Sequence, residues 1–115
     1  MRPPLIAAFE HEMSLAAQAR AAADLDRAFA HLERAHVLGQ RSTRRHVRSH
    51  LAMLAVGWAR GDARELVGQM SRLVAALLFS RLWVPAGNTG GANVNALRPM
   101  PVPDDLGALL DDDCR

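Results

Sequence analysis

Helix-stopping signals recur through the first part of this chain at intervals that suit helices and little else. Ala23-Asp24, Gly39 and Gly61-Asp62 cut it into stretches of about four to five helical turns. Within each stretch the apolar residues return every three or four positions, the period of an α-helix packed on one side. The first stretch, residues 4–22, opens with prolines, which a helix tolerates where its first N–H groups are unbonded anyway. Its stripe is Ile6, Phe9, Met13, Ala16 and Ala17. Asp24 caps a second helix to residue 38, with Leu25, Phe29, Leu32 and His36 on one face and Gly39 as its stop. Ser42 or Thr43 starts a third, to residue 60, with the stripe Val47, Leu51, Leu54 and Trp58. Asp62 and Glu65 have capping-box spacing for a fourth, striped by Leu66, Met70, Leu73, Val74 and Leu77.

The connections between these helices are short, so sequential neighbours are expected to pack antiparallel. The turns at Ala23-Asp24 and Gly61-Asp62 also correspond across the two halves, which resembles a pair of tetratricopeptide-like hairpins. Two such units fall short of the three that a solenoid usually needs, which favours a closed bundle. The expected fold is therefore all-α: four antiparallel helices over residues 1–84, as a bundle or two hairpins. From Pro85 onward Gly, Asn and Pro dominate, and residues 85–115 read as an irregular strap with an acidic tail. Val94, Leu97, Met100 and Val102 would hold the strap to the helices. A short turn is expected at residues 105–110, and a mobile Asp-rich end after it.

Charge is divided unevenly along this plan. Residues 1–98 carry thirteen Arg against seven acids, and residues 99–115 one Arg against five Asp. The body is basic and the tail acidic, so the tail can fold back on the body. A lone cysteine, Cys114, rules out an internal disulfide framework. Glu10, His11 and Glu12 interrupt any signal-peptide core, and the longest apolar run, residues 73–79, is far short of a membrane span. A cytoplasmic location without membrane insertion is the expectation.

Four of the five histidines lie between residues 31 and 50, where the second and third helices meet. His36 lies near the middle of its helix's apolar stripe, and Glu33, three residues earlier, projects to the same side. E-x-x-H is the ligand unit of carboxylate-rich metal sites in helical bundles, although a second copy is missing here. His46 and His50 are one turn apart on a second face of the third helix, shared with Met53 and Gly57. H-x-x-x-H on a helix can close on one divalent ion. If the turn at residues 39–43 folds the third helix back along the second, Glu33, His36, His46 and His50 converge as metal ligands. Gln40 or Glu12 would then be supplementary. Mixed nitrogen and oxygen donors suit zinc, iron, nickel or cobalt. With histidines near their ordinary pKa, affinity would fall as pH drops through ~6.5. An alternative stays open: His36 bonded to Glu33 or Glu12 as a structural histidine, with His46 and His50 on a basic surface.

Other motifs carry less. Arg41, Arg44, Arg45 and Arg48 crowd the start of the third helix, but no aromatic residue interleaves them. Pairing with local acids or the Asp-rich tail explains them better than nucleic acid does. The Gly-Asn-Thr-Gly-Gly-Ala-Asn segment, residues 87–93, lacks the Lys-Ser/Thr of a phosphate loop, so its glycines read as turn formers. No serine sits in a nucleophile elbow and no organic cofactor is indicated, so nothing points to an enzyme.

The strings H-L-E-R-A-H-V-L-G-Q (31–40), R-x-H-x-x-x-H-L-x-M-L (44–54), P-x-G-N-T-G-G-A-N-V and R-P-M-P-V-P-x-D-L together resemble a small bacterial family known as domain of unknown function 3703. The resemblance spans roughly residues 5–110. It implies a short helical cytoplasmic protein and brings no catalytic role. An association with metal efflux and metal-responsive genes implies metal handling. Its polar blocks fall on Glu33, His36, Gln40, His46, His50, Asn88, Thr89 and Asn93. Two functions follow from the sequence: a small metal-binding accessory protein in metal homeostasis or resistance, or a helical adapter for another protein, with structural histidines.

Overall fold

The computed structural model describes residues 1–79, 88–91 and 99–114. Among them it contains five helices and no strand: α1 (Pro3–Ala21), α2 (Leu25–Gly39), α3 (Thr43–Arg60), α4 (Ala63–Phe79) and α5 (Asp104–Asp113). The caps expected from sequence form. The Asp24, Ser42 and Asp62 side chains accept from the N–H groups of Arg27, Arg45 and Glu65, at 3.3, 3.4 and 3.1 Å. Gly61 ends α3 in the left-handed region at φ 68°, with its own N–H and that of Asp62 returned to Trp58 and Gly57.

α2 stops at Gly39, as expected, but the glycine has a second task. It is the last residue of α2, and a Cβ there would stand 2.8 Å from Cε2 of Phe9. Its missing side chain lets α1 and α2 close together.

α2 packs against α1 and α3, and α3 against α4. One apolar cluster joins Ala16 and Ala19 of α1 to Ala28, Phe29 and Leu32 of α2 and to Met53 and Val56 of α3. The other joins Leu5 and Phe9 to Ala35, Val37 and Leu38, and is closed by Leu106 of α5. His46, near the start of α3, meets His36, near the end of α2. At the other end Arg60 pairs with Asp26 at 3.1 Å.

Three expectations change. First, the acidic tail is a fifth helix rather than a short turn with a mobile end. Leu106 anchors it, Arg34 pairs with Asp105, and Arg41 donates to the Leu110 carbonyl and Asp113. Met100 and Val102 of the expected strap are partly buried, and Val102 packs on the second cluster; Val94 and Leu97 lie outside the described residues. Second, α3 buries the face carrying His46, Ser49, His50, Met53, Val56 and Gly57, whereas Leu51 and Trp58 of the expected stripe face solvent. Third, α4 buries Glu65 and Gln69 and exposes Val67, Met70, Val74, Leu77 and Leu78. Hydropathy identified these two helices but not their inward sides.

Candidate metal centre

α2 carries His36 inward beside its core residues, and α3 carries His46 and His50 on adjacent turns of its buried face. The His36 ring meets the other two edge-on, those two are tilted by 47° to each other, and all three centroids lie 4.7–4.8 Å apart. Their Nε2 atoms form a nearly equilateral triangle: 3.0 Å from His46 to His36, 3.1 Å from His50 to His46 and 3.2 Å from His36 to His50. All three residues are buried, at 3%, 7% and 2% exposure for His36, His46 and His50.

The far side of two rings decides what the near side can do. Nδ1 of His36 lies 2.7 Å from the Asn88 carbonyl oxygen, which can only accept, so this nitrogen carries the proton. Nδ1 of His50 lies 2.6 Å from Oε1 of Gln69. That amide's orientation is set by its other end, where Nε2 donates to Glu65 at 2.7 Å and to the Gly90 carbonyl at 2.8 Å. His50 is therefore also protonated on Nδ1. In neutral rings both Nε2 atoms then present lone pairs to each other across 3.2 Å. His46 is pinned by neither kind of acceptor: its Nδ1 is buried and has no hydrogen-bond partner among the described residues.

Electrostatics keep the rings neutral. Burial pushes the His36 pKa well below the ordinary histidine value, with the neighbouring histidines adding to it. Burial, then His50, takes His46 down to about 4. Burial also lowers His50, partly offset by its bond to Gln69.

The segment 88–91 walls the cluster. Gly90 adopts φ 81°, and a Cβ there would come within 2.5 Å of the His36 ring. Its N–H donates to Oδ1 of Asn88, and its carbonyl accepts from Arg72 as well as Gln69. Of the segment's glycines, Gly90 takes the left-handed backbone that a side chain opposes, and its bare Cα leaves room for an imidazole; Gly87 lies outside the described residues.

Of the residues singled out from sequence, His36, His46 and His50 come together. Among the described residues they form the group whose ligand atoms lie within 4.8 Å of one another, and Glu33 is not part of it. One turn earlier on α2, Glu33 instead lines a cavity of about 280 Å³ with Asp26, Phe29, Arg60, Asp62 and Glu65. Burial raises its pKa there, opposed by the Thr89 hydroxyl. Gln40 stands behind the site, donating at 3.3 Å to the same Asn88 carbonyl that holds His36. Glu12 is committed elsewhere, to His31 at 2.7 Å and Arg34 at 2.8 Å. His36 thus bonds to neither carboxylate. Asn93 lies outside the described residues.

Sequence reasoning missed Gln69, Gly90 and the partnership of Glu65. The available signal was polar Glu65 and Gln69 at i and i+4 in a helix with a strong apolar stripe, a pair that reads naturally as a solvated edge. The basic cluster is largely occupied: Arg48 grips Glu10 through two nitrogens, at 2.6 and 3.1 Å, Arg41 holds α5, and Arg45 reaches Ser42.

The described residues thus form a helical domain built around three buried, neutral imidazoles. The chain belongs to the family described as Protein of unknown function (DUF3703), which matches residues 4–110. No curated protein and no solved structure matches the chain. No helix among the described residues is long and apolar enough to cross a membrane.

Proposed function

We propose that this protein binds one divalent transition-metal ion through Nε2 of His36, His46 and His50, as a small accessory protein in metal homeostasis. The observation carrying this reading is the pinning of His36 and His50. Each donates its Nδ1 proton outward, so two lone pairs converge in a buried space, an arrangement that a cation relieves. The triangle also has a suitable size. With nitrogen–metal bonds of ~2.1 Å, nitrogens ~3.1 Å apart subtend roughly 95° at the ion, which sits ~1 Å off their plane. Such a three-nitrogen cap fits one face of an octahedron, or three corners of an elongated tetrahedron, with at least one position left for a further ligand.

Imidazole donors suit zinc, nickel, cobalt and iron, and disfavour calcium and magnesium. The ligand set proposed is three histidines, with Gln69, Asn88 and Gln40 orienting them. Glu33 and Glu65 line the neighbouring acidic cavity rather than the ion's first ligands.

The test is metal analysis of protein purified without a histidine tag, alongside His36→Ala and a His46→Ala/His50→Ala double variant. One ion per chain is expected for the wild type and none for either variant, with cobalt-loaded protein giving a ligand-field spectrum that the variants lose. Stoichiometric metal that survives both sets of substitutions, or wild-type protein that takes up none of the four metals, would sink the reading.

A further inference from the structure

The α3–α4 pair has two faces of opposite character. Its inner face holds His46, His50, Glu65 and Gln69. Its outer face is apolar and open: Trp58 is 76% exposed, Val67 68% and Leu77 61%, and Leu51, Met70 and Val74 are about half exposed. On α3, Leu51 and Trp58 are two turns apart, and on α4 Val67, Met70, Val74 and Leu77 keep to one stripe, so the two helices present one continuous surface. A groove of about 720 Å³ runs between them, and among the described residues that line it Arg20 is the one that is charged.

The area decides what this surface is for. A large apolar side chain offers roughly 150–250 Å² when fully open, so these six leave on the order of 700 Å² in contact with water. That lies above the largest patch a typical monomer shows, roughly 300–600 Å², and close to the ~800 Å² each partner gives to a standard interface. Among the described groove-lining residues a single arginine gives the surface little with which to select a charged partner. A two-fold contact asks only that the same patch meet itself. The patch also contains both halves of such a contact, since Trp58 stands out beside the groove that could receive the partner's indole.

We infer that the protein is a homodimer joined across the outer face of α3 and α4, with α4 against its symmetry mate and Trp58 of each copy in the other's groove. The interface is opposite the histidine cluster and independent of any ion.

Sedimentation equilibrium of the full chain tests this, in chelator to exclude metal bridging and in reductant because Cys114 is exposed. The mass is expected to double with rising concentration, with a micromolar or tighter dissociation constant. Val67→Glu is expected to weaken association by at least ~30-fold, and Trp58→Ala by at least ~10-fold, as central interface residues do. Both side chains face solvent in the monomer, so helix content by circular dichroism should not change. A chain that stays monomeric up to about 100 μM, whether because another part of the chain or a different protein covers the face, overturns the inference. So does a Val67→Glu variant that associates like the wild type.

Discussion

At the scale of single residues, the molecule turns on histidines that burial keeps unprotonated. In the unfolded chain these imidazoles titrate near 6.5, while in the folded one His46 is held down to about 4 and His36 and His50 are also lowered. As pH falls through 6.5, the unfolded chain takes up protons that the folded one refuses, so folding stability must fall with it. His46 alone costs on the order of 3 kcal/mol by pH 4. Urea midpoints from pH 7.5 to 4.5 should therefore decline steadily below 6.5, and a midpoint unchanged between pH 7 and 5 would contradict the burial of neutral rings. Metal affinity, by contrast, should hold below the ordinary histidine pKa expected to govern it from sequence, because burial lowers all three rings from that value and the folded site competes with fewer protons. Gln69 is the residue to alter for the site's finer tuning. Gln69→Leu removes the acceptor of His50 Nδ1, and metal affinity is expected to fall about 10- to 100-fold while helix content is kept. Competition against a chromophoric chelator measures it, and an unchanged affinity would mean that the amide does not orient the ring.

Individual helices show where sequence reading succeeds and where it stops. Start and stop signals are local, and Asp24, Ser42, Asp62 and Gly61 act within a few residues of where they stand, so the bounds of α1 to α3 and the start of α4 were readable. Which side of a helix faces inward depends on what it meets. α3 and α4 were assigned by their apolar stripes, yet their inward sides are built from His46, His50, Glu65 and Gln69. That arrangement depends on each of these side chains meeting a polar partner across space through at least one atom, and a periodicity argument contains no such information. The three histidines were readable because two share one helix and the third lies just before the intervening turn. Asn88 and Gly90 approach from a distant segment, 52 residues beyond His36 in the case of Asn88. α5 escaped because its Asp-rich ends suggest solvation, whereas Leu106 between them is 1% exposed. Leu106→Ala should cost about 2–4 kcal/mol in urea unfolding. A loss below ~0.5 kcal/mol would show that α5 is not part of the cooperative fold.

For the molecule as a whole, an ion bound only in the folded state draws the folding equilibrium toward it. At a free concentration 100 times the dissociation constant, the gain is about 2.7 kcal/mol, or roughly 10–20 °C in Tm for a domain of about this size. Scanning calorimetry should show that rise with the preferred metal, its reversal by chelator, and its absence in the His46→Ala/His50→Ala variant. An equal rise in the variant would place the ion elsewhere.

The groups that hold the histidines in place, a main-chain carbonyl behind His36 and a side-chain amide behind His50, are electrically neutral, and so are the rings. A divalent ion entering this site would keep nearly its full charge in a medium that screens poorly, with the Glu65 carboxylate one hydrogen bond further out, beyond Gln69. Such an ion would be electron-poor and would complete its shell with an anion. Left with water alone, it would acidify that water toward neutrality, as zinc held by three imidazoles does elsewhere.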